Sequence, residues 1–350
     1  MRIRFVIAIA VLVVVFIFAI PRLADYGEAW DAIVVMTAPE LAVLAIAGLW
    51  NLFTYWPVLM LAQPGLRLRE AAVVNQASTA VANTVPAGSA FAVAVTFRIL
   101  RGWGFTTESI TNQTVLTGTW NQLVKLAMPV IALLIVAATG ELQGRFVDLA
   151  LWGVTILCLF VGVSFVVLRI PRATERVGAA LDRWVSWLLR VVGRPRTMVI
   201  QPWLARLRAQ IIELLRHRAP ALSAAAIVSH LSLYLMLLAC IRVIGLSAEE
   251  LSWSKVLVGF ALVRLLSAIP VTPGGVGVVE LGYVGFLATG DAEGLESAIT
   301  AAVLLFRAIT YALPVALGAS AWILYQGADS WRHPPNSRGT VWLDPGVLTP

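Results

Sequence analysis

The stretch SAIPVTPGGVGVVELGYVGF, residues 267–286, decides how this chain is read. It lies in a strongly apolar region, yet it sets two prolines and three closely spaced glycines ahead of a single glutamate. Pro270 and Pro273 end an incoming helix, while Gly274, Gly275 and Gly277 allow a tight turn and a close backbone approach. The outgoing helix then starts near Val278. Its unpaired N–H groups and positive end face the turn as a ready anion site, with Glu280 in its first turn. Inside a bilayer such a break is tolerated only where protein or a wet cavity satisfies the freed backbone groups, so a site is expected there. The same residues also read as a plain turn in which Glu280 only complements the helix end.

The chain as a whole belongs in a bilayer. Of its 350 residues 59% are hydrophobic and 13% charged, and a water-soluble core does not hide that much apolar surface. The formal charge of +7 does not point to nucleic acid, because the basic residues lie between apolar segments, where they set orientation. Cys158 and Cys240 both sit inside apolar runs, so neither a disulfide framework nor a metal site is implied. Segments long enough to cross run over residues 5–20, 40–62, 112–139, 149–168, 221–246 and 298–326, giving six expected transmembrane helices. The first lacks a small-residue cleavage site before Pro21 and reads as an uncleaved helix.

Arginines are retained on the cytoplasmic side of a membrane. Arg2, Arg4, Arg67, Arg69, Arg98, Arg101, the run over 169–218, Arg332 and Arg338 fall on one side. Asp25, Glu28, Asp31, Glu141, Asp148, Glu249, Glu250, Asp291, Glu293 and Glu296 fall on the other. Both termini are therefore expected in the cytoplasm, and the protein in the inner, cytoplasmic membrane.

Two apolar stretches remain, 71–97 and 255–288, broken at Pro86-Ala87-Gly88 and at 270–277. Arms of roughly 12 to 16 residues reach about 18 to 24 Å as helix, against a hydrocarbon core of about 30 Å. Re-entrant hairpins fit such arms better than spanning pairs. Arg69 and Arg98 flank the first, which enters from the cytoplasm; Glu249, Glu250, Asp291 and Glu293 flank the second, which enters from outside. Broken elements in corresponding, inverted positions point to a transporter-type repeat with its site near the midplane. The halves differ in helix count, so the repeat is approximate. The expected fold is all-α integral membrane, with about six transmembrane helices and two oppositely oriented re-entrant helical hairpins over residues 1–327. Residues 169–220 form a basic amphipathic cytoplasmic segment lying on the inner leaflet, and 328–350 a disordered cytoplasmic tail.

Three cations are embedded in apolar sequence: Lys125, Arg264 and Arg307. A cation at that depth is costly and expects a partner, and Arg264 is the one nearest in sequence to Glu280. Converging on the two hairpins, the three would form a polar cavity suited to a phosphate head group. Lys125 and Arg307 equally read as side chains snorkelling to an interface. Asn75, Asn83, Asn121 and Gln122 line the same cavity or serve as helix-packing contacts. His217, His230 and His333 have no cysteine or carboxylate at ligand spacing, and His230 reads as a packed core histidine. No catalytic set and no nucleotide-binding loop is found, so neither an enzyme nor a cofactor is expected.

The run RLLSAIPVTPGGVGVVELGYVGFL, residues 264–287, resembles the lysylphosphatidylglycerol synthase transmembrane family of flippase-like membrane proteins. The resemblance is carried by Arg264, Pro270, Pro273, Gly274, Gly275, Gly277 and Glu280. LLFRAITYALPVALG, residues 304–318, is similar to the family's closing helix through Arg307, Pro314 and Gly318. NTVPAGSAFAVAVTFRILRGWGF, residues 83–105, resembles a first, weaker copy of the break through Asn83, Pro86, Gly88 and Arg98. Many members carry a Gly-Glu pair after that first turn, where this chain has Ser89 and Ala90, so no acidic role carries over there. The resemblance does not include the aminoacyl-transferase domain of the synthase members. It implies a stand-alone translocation domain.

Together these observations lead to an expected function: movement of a lipid with an anionic or zwitterionic head between leaflets, without covalent chemistry. The head-group phosphate would sit near Arg264, Arg307 and the Gly274-Gly275 turn, and Glu280 would hold Arg264 or meet an amino group on the lipid. The partner is then a membrane phospholipid or a polyprenyl-phosphate-type lipid, with a homo-oligomer or a separate synthase subunit left open. Other readings are an enzyme or enzyme subunit acting on a polyprenyl- or glycan-linked lipid, a structural partner in cell-envelope assembly, and a small-solute carrier.

Overall fold

In hydrocarbon a backbone finds hydrogen-bond partners only within the chain, and apolar segments accordingly settle as helices. The computed structural model describes residues 36–85, 88–138, 171–191, 201–267, 272–289 and 295–327, with scattered positions between 152 and 170. In chain order the helices are α1 (Ala38–Thr54), α2 (Trp56–Ala62), α3 (Leu68–Thr84), α4 (Gly88–Gly102) and α5 (Thr107–Ala138). Then follow α6 (Pro171–Val191), α7 (Gln201–Val243), α8 (Trp253–Leu266), α9 (Val278–Leu287), α10 (Glu296–Arg307) and α11 (Leu313–Gly327). A 3-10 turn, Pro273–Gly275, lies between α8 and α9, and a π-helical turn, Ala308–Ala312, joins α10 to α11.

Among the described residues four helical stretches are long and apolar enough to cross a membrane: Ala38–Ala62, Thr107–Ala138, Arg216–Val243 and Glu296–Gly327. They overlap four of the six expected crossings. Of the other two, 5–20 lies outside the described residues and 149–168 is described only at scattered positions. The tail over 328–350 lies outside the described residues as well. Both expected breaks are present as interruptions between packed helix pairs, α3 with α4 and α8 with α9. With 14 residues in α8 and 10 in α9, these arms reach only about 21 and 15 Å.

The basic segment over 169–220 is carried, among the described residues, by two helices. It divides between α6 and the beginning of α7, and α7 runs on through Pro220 into the apolar crossing without a break. Pro220 lacks an amide donor, yet the helix continues through it. On α6, Val177, Leu181, Trp184 and Trp187 are exposed while the opposite side meets α7. Such a face suits the interfacial zone of a bilayer.

The main core joins α5, α7, α8, α9 and α10 around Met236, Leu237, Ile241, Ile299 and an aromatic line, Tyr234–Phe260–Tyr283–Phe306, with successive centroids 5.9, 6.5 and 5.8 Å apart. A second core joins α3, α4 and α11 around Ile99, Leu100, Trp103 and Tyr325. Outward, Ile46, Leu49, Leu134, Leu281 and Leu324 are each at least 60% exposed, as a lipid-facing surface requires. Between helices, polar contacts replace the missing hydrophobic drive: Asn51 Nδ2 donates to Ser232 Oγ at 2.7 Å, and Trp120 Nε1 to Ser223 Oγ at 3.0 Å. Arg242 closes the end of α7 by donating to the carbonyls of Leu246, Ser247 and Leu251 at 2.7 to 2.9 Å. In the adjoining loop, the Ser247 amide donates to Glu250 at 2.8 Å and holds its carboxyl below the usual range.

Candidate functional site

The second break is built on three glycines in the left-handed region, Gly274 at φ 59°, Gly275 at φ 70° and Gly277 at φ 85°. Space is as limiting as conformation. A Cβ on Gly274 would stand 2.3 Å from Tyr311 Cε2 and 3.3 Å from Asn83 Cα. The tip of the second break therefore packs directly on the end of α3, where the first break begins.

Glu280, in the first turn of α9, turns back so that its Oε2 accepts from the Gly277 amide at 2.7 Å. Its Oε1 accepts from Arg307 Nε at 2.5 Å, and Arg307 NH2 donates to the Gly274 carbonyl at 3.0 Å. Two expectations are corrected here. Glu280 pairs with Arg307, not Arg264, because α10 packs on α9 and brings its last residue to the start of that helix. The positive end of α9 is met by the carboxylate of Glu280, so it is not an open anion site.

Pro314 cannot donate into the preceding turn, and the chain widens to the π-helical turn just before it. That turn carries Tyr311, whose ring lies under the Arg307 guanidinium with 4.5 Å from Cζ to the centroid. Tyr311 Oη donates to the Asn83 carbonyl at 2.9 Å. One side chain thus ties the ion pair to both breaks. Tyr311→Phe, which keeps the ring and removes this bond, is expected to lower stability by about 1 kcal/mol, as read from an unfolding titration in detergent.

Beside this junction lies a cavity of about 550 Å³. Lys125 reaches it from α5, Arg264 from the last turn of α8, and Asn83, Gly274 and Arg307 from the junction itself. Among the described residues Lys125 and Arg264 have no ion-pair partner, and Arg264 Nε is buried without a hydrogen-bond acceptor. No aspartate or glutamate is among the described residues of the lining. Two polar stripes complete the wall. Gln113, Thr117, Asn121 and Lys125 follow one another at four-residue spacing on α5, and Asn75, Thr79 and Asn83 do so on α3. Gln76 also lines the cavity; it is 6% exposed, and neither its Oε1 nor its Nε2 has a partner.

The structure thus brings together Lys125, Asn83, Arg264, Gly274 and Arg307 on one lining, with Glu280, Pro273, Gly275 and Gly277 behind it in the turn. Arg98 lies apart: it is exposed on α4, with its guanidinium 5.3 Å from the centroid of Trp322. Gly88 is buried at the start of α4, where a Cβ would stand 2.2 Å from the Ala82 carbonyl oxygen, and Pro86 lies outside the described residues. Asn75 and Asn121 line the cavity as expected, whereas Gln122 is not among its lining residues. His230 is buried with Nδ1 3.0 Å from the Ala226 carbonyl. Gln76, Gln113 and the threonines were not singled out from the sequence; the four-residue recurrence of polar groups within apolar helices is the signal that marks Gln113, Thr117 and Thr79, and Gln76 lies off it.

A family model described as the lysylphosphatidylglycerol synthase TM region matches residues 3–318. No curated protein and no solved structure matches the chain. With most of its length matched, the chain belongs to that family.

Proposed function

We propose that this member of the family moves a lipid with an anionic or zwitterionic head group across the inner, cytoplasmic membrane, leaving its covalent structure unchanged. The observation that carries this reading is the cavity that holds two cations without an ion-pair partner among the described residues, Lys125 and Arg264, and is reached by Gly274 in the second break and by Asn83 at the end of α3. Unpaired cations are expensive in hydrocarbon and mark a substrate path. A phosphate supplies the missing countercharge and accepts from a guanidinium in two places at once.

In this reading the two broken pairs are re-entrant hairpins that open the cavity alternately to the two leaflets, with both termini cytoplasmic. The short arms of α8 and α9 support it. So does the contact between Gly274 and Asn83, because moving one tip must disturb the other.

The test is transbilayer movement of fluorescently labelled phospholipids in proteoliposomes. Arg264→Gln is expected to slow it about 10- to 150-fold, the loss of one charge-assisted hydrogen bond being worth about 1.5 to 3 kcal/mol. Movement by wild type no faster than in empty liposomes, across anionic and zwitterionic heads, overturns the reading.

A further inference from the structure

The cavity wall has two parts with different chemistry. Lys125 and Arg264 supply positive charge that no carboxylate among the described residues pairs with. The amides of Gln76, Gln113 and Asn121 supply donors and acceptors side by side. Gln76 has both side-chain polar atoms unsatisfied at 6% exposure, and Gln113 has its Oε1 unsatisfied at 3%. A buried amide left without partners is costly, so these groups are built to meet a ligand or water.

What the wall lacks is equally selective. Glu280, in the turn behind the wall, has one oxygen on the Gly277 amide and the other on Arg307, and none among the described lining residues is acidic. An ammonium group brought into the cavity would meet two cations and no anion. A hydroxyl, which both donates and accepts, matches a carboxamide at either end.

Resting on the reading of this cavity as the head-group site, we infer that it selects a lipid whose head is a phosphate bearing a polyhydroxyl group, a polyol or a sugar, and disfavours heads that carry an ammonium group. The phosphate meets Arg264 and Lys125, and the hydroxyls meet Gln76, Gln113 and Asn121. The carrier of such a head is either a diacylglycerol or a polyprenyl chain.

The test is equilibrium binding of soluble short-chain lipids to the purified full-length protein in detergent, by calorimetry. The probes are dioctanoyl phosphatidylglycerol, phosphatidylinositol, phosphatidylmethanol, phosphatidylethanolamine and lysylphosphatidylglycerol, with a short prenyl phosphate carrying one hexose. The methanol head has the same single phosphodiester charge without hydroxyl or ammonium. The polyhydroxyl heads are expected to bind about tenfold tighter than the methanol head, and the ethanolamine and lysyl heads more weakly than it. Comparing the diacyl and prenyl probes identifies the carrier.

In Gln76→Leu/Asn121→Leu the polyhydroxyl preference over methanol is expected to vanish while phosphatidylmethanol still binds, which also shows the variant is folded. Equal binding of hydroxylated and methanol heads, or lysyl or ethanolamine heads bound as tightly, overturns the inference. If the preference holds and no lipid moves in proteoliposomes, the transport reading fails and this one stands. If lipids move without any head preference in binding, this one fails and transport stands.

Discussion

Arg307→Met is expected to cost about 3 kcal/mol of stability, and Glu280→Gln distinctly less. The Arg307 and Glu280 side chains are each 14% exposed, so removing the cation strands a largely buried carboxylate with only the Gly277 amide for a partner. The Gly274 carbonyl loses its donor at the same time, and Tyr311 loses the guanidinium above its ring. Glutamine at 280 keeps a carbonyl that accepts from Gly277 and loses the charge and the acceptor for Arg307 Nε, while Arg307 retains the Gly274 carbonyl and the Tyr311 ring. The double variant Glu280→Gln/Arg307→Met is expected to be more stable than the sum of the single effects predicts, by roughly 1 to 3 kcal/mol, since residues in direct contact couple on that scale. Unfolding titrations of the four proteins in one detergent measure the coupling. Additive effects would show that the contact contributes nothing to stability.

This pair also shows where sequence reading stops. The break itself is legible: prolines at 270 and 273 and glycines at 274, 275 and 277 leave few other conformations, and all three glycines take positive φ. Glu280 is legible as the residue that complements the start of the next helix. Its partner is not. Arg264 stands 16 positions upstream and Arg307 27 positions downstream, and the choice is made by the packing of α10 on α9, which no local pattern encodes. Consequently Arg264, expected to be neutralised, is left in the cavity as an unpaired cation beside Lys125.

The cavity wall was legible in part for a related reason. Asn75, Asn83, Asn121 and Lys125 stand out as polar residues within apolar sequence, but read singly they do not show a common face. Reading for period adds Gln113, Thr117 and Thr79, because a four-residue step keeps side chains on one side of a helix. Gln76 escapes even this reading, being one position off the α3 stripe, and only the mutual arrangement of helices brings it to the wall. Arg98 shows the converse. Its place after the first break suggests a role at the site, but the length of α4 carries it away to Trp322.

Gly318→Ala is expected to cost about 3 kcal/mol, at the upper end of what overpacking usually does, and to reduce lipid movement with it. A Cβ at this position on α11 would stand 2.2 Å from the Gln76 carbonyl oxygen and 2.4 Å from Ala80 Cβ on α3. The first of these atoms is backbone, so no change of rotamer relieves the contact and the two helices must separate. Close approach through small residues is what holds helices together where lipid removes the hydrophobic drive, so the pairing is lost along with the space. The displaced helix carries Asn75, Gln76, Thr79 and Asn83, so the cavity wall moves with it. Ala80→Gly in the same chain removes one of the two contacts and is expected to restore only part of the stability. Gly285→Ala is the matched comparison: it also lies within a helix, α9, but nothing stands within 4 Å of its added Cβ. There the better helix propensity of alanine is expected to raise stability by up to about 1 kcal/mol. Thermal unfolding in detergent and proteoliposome assays on the three variants separate these effects, and a Gly318→Ala protein as stable as wild type would show that α3 and α11 do not depend on this approach.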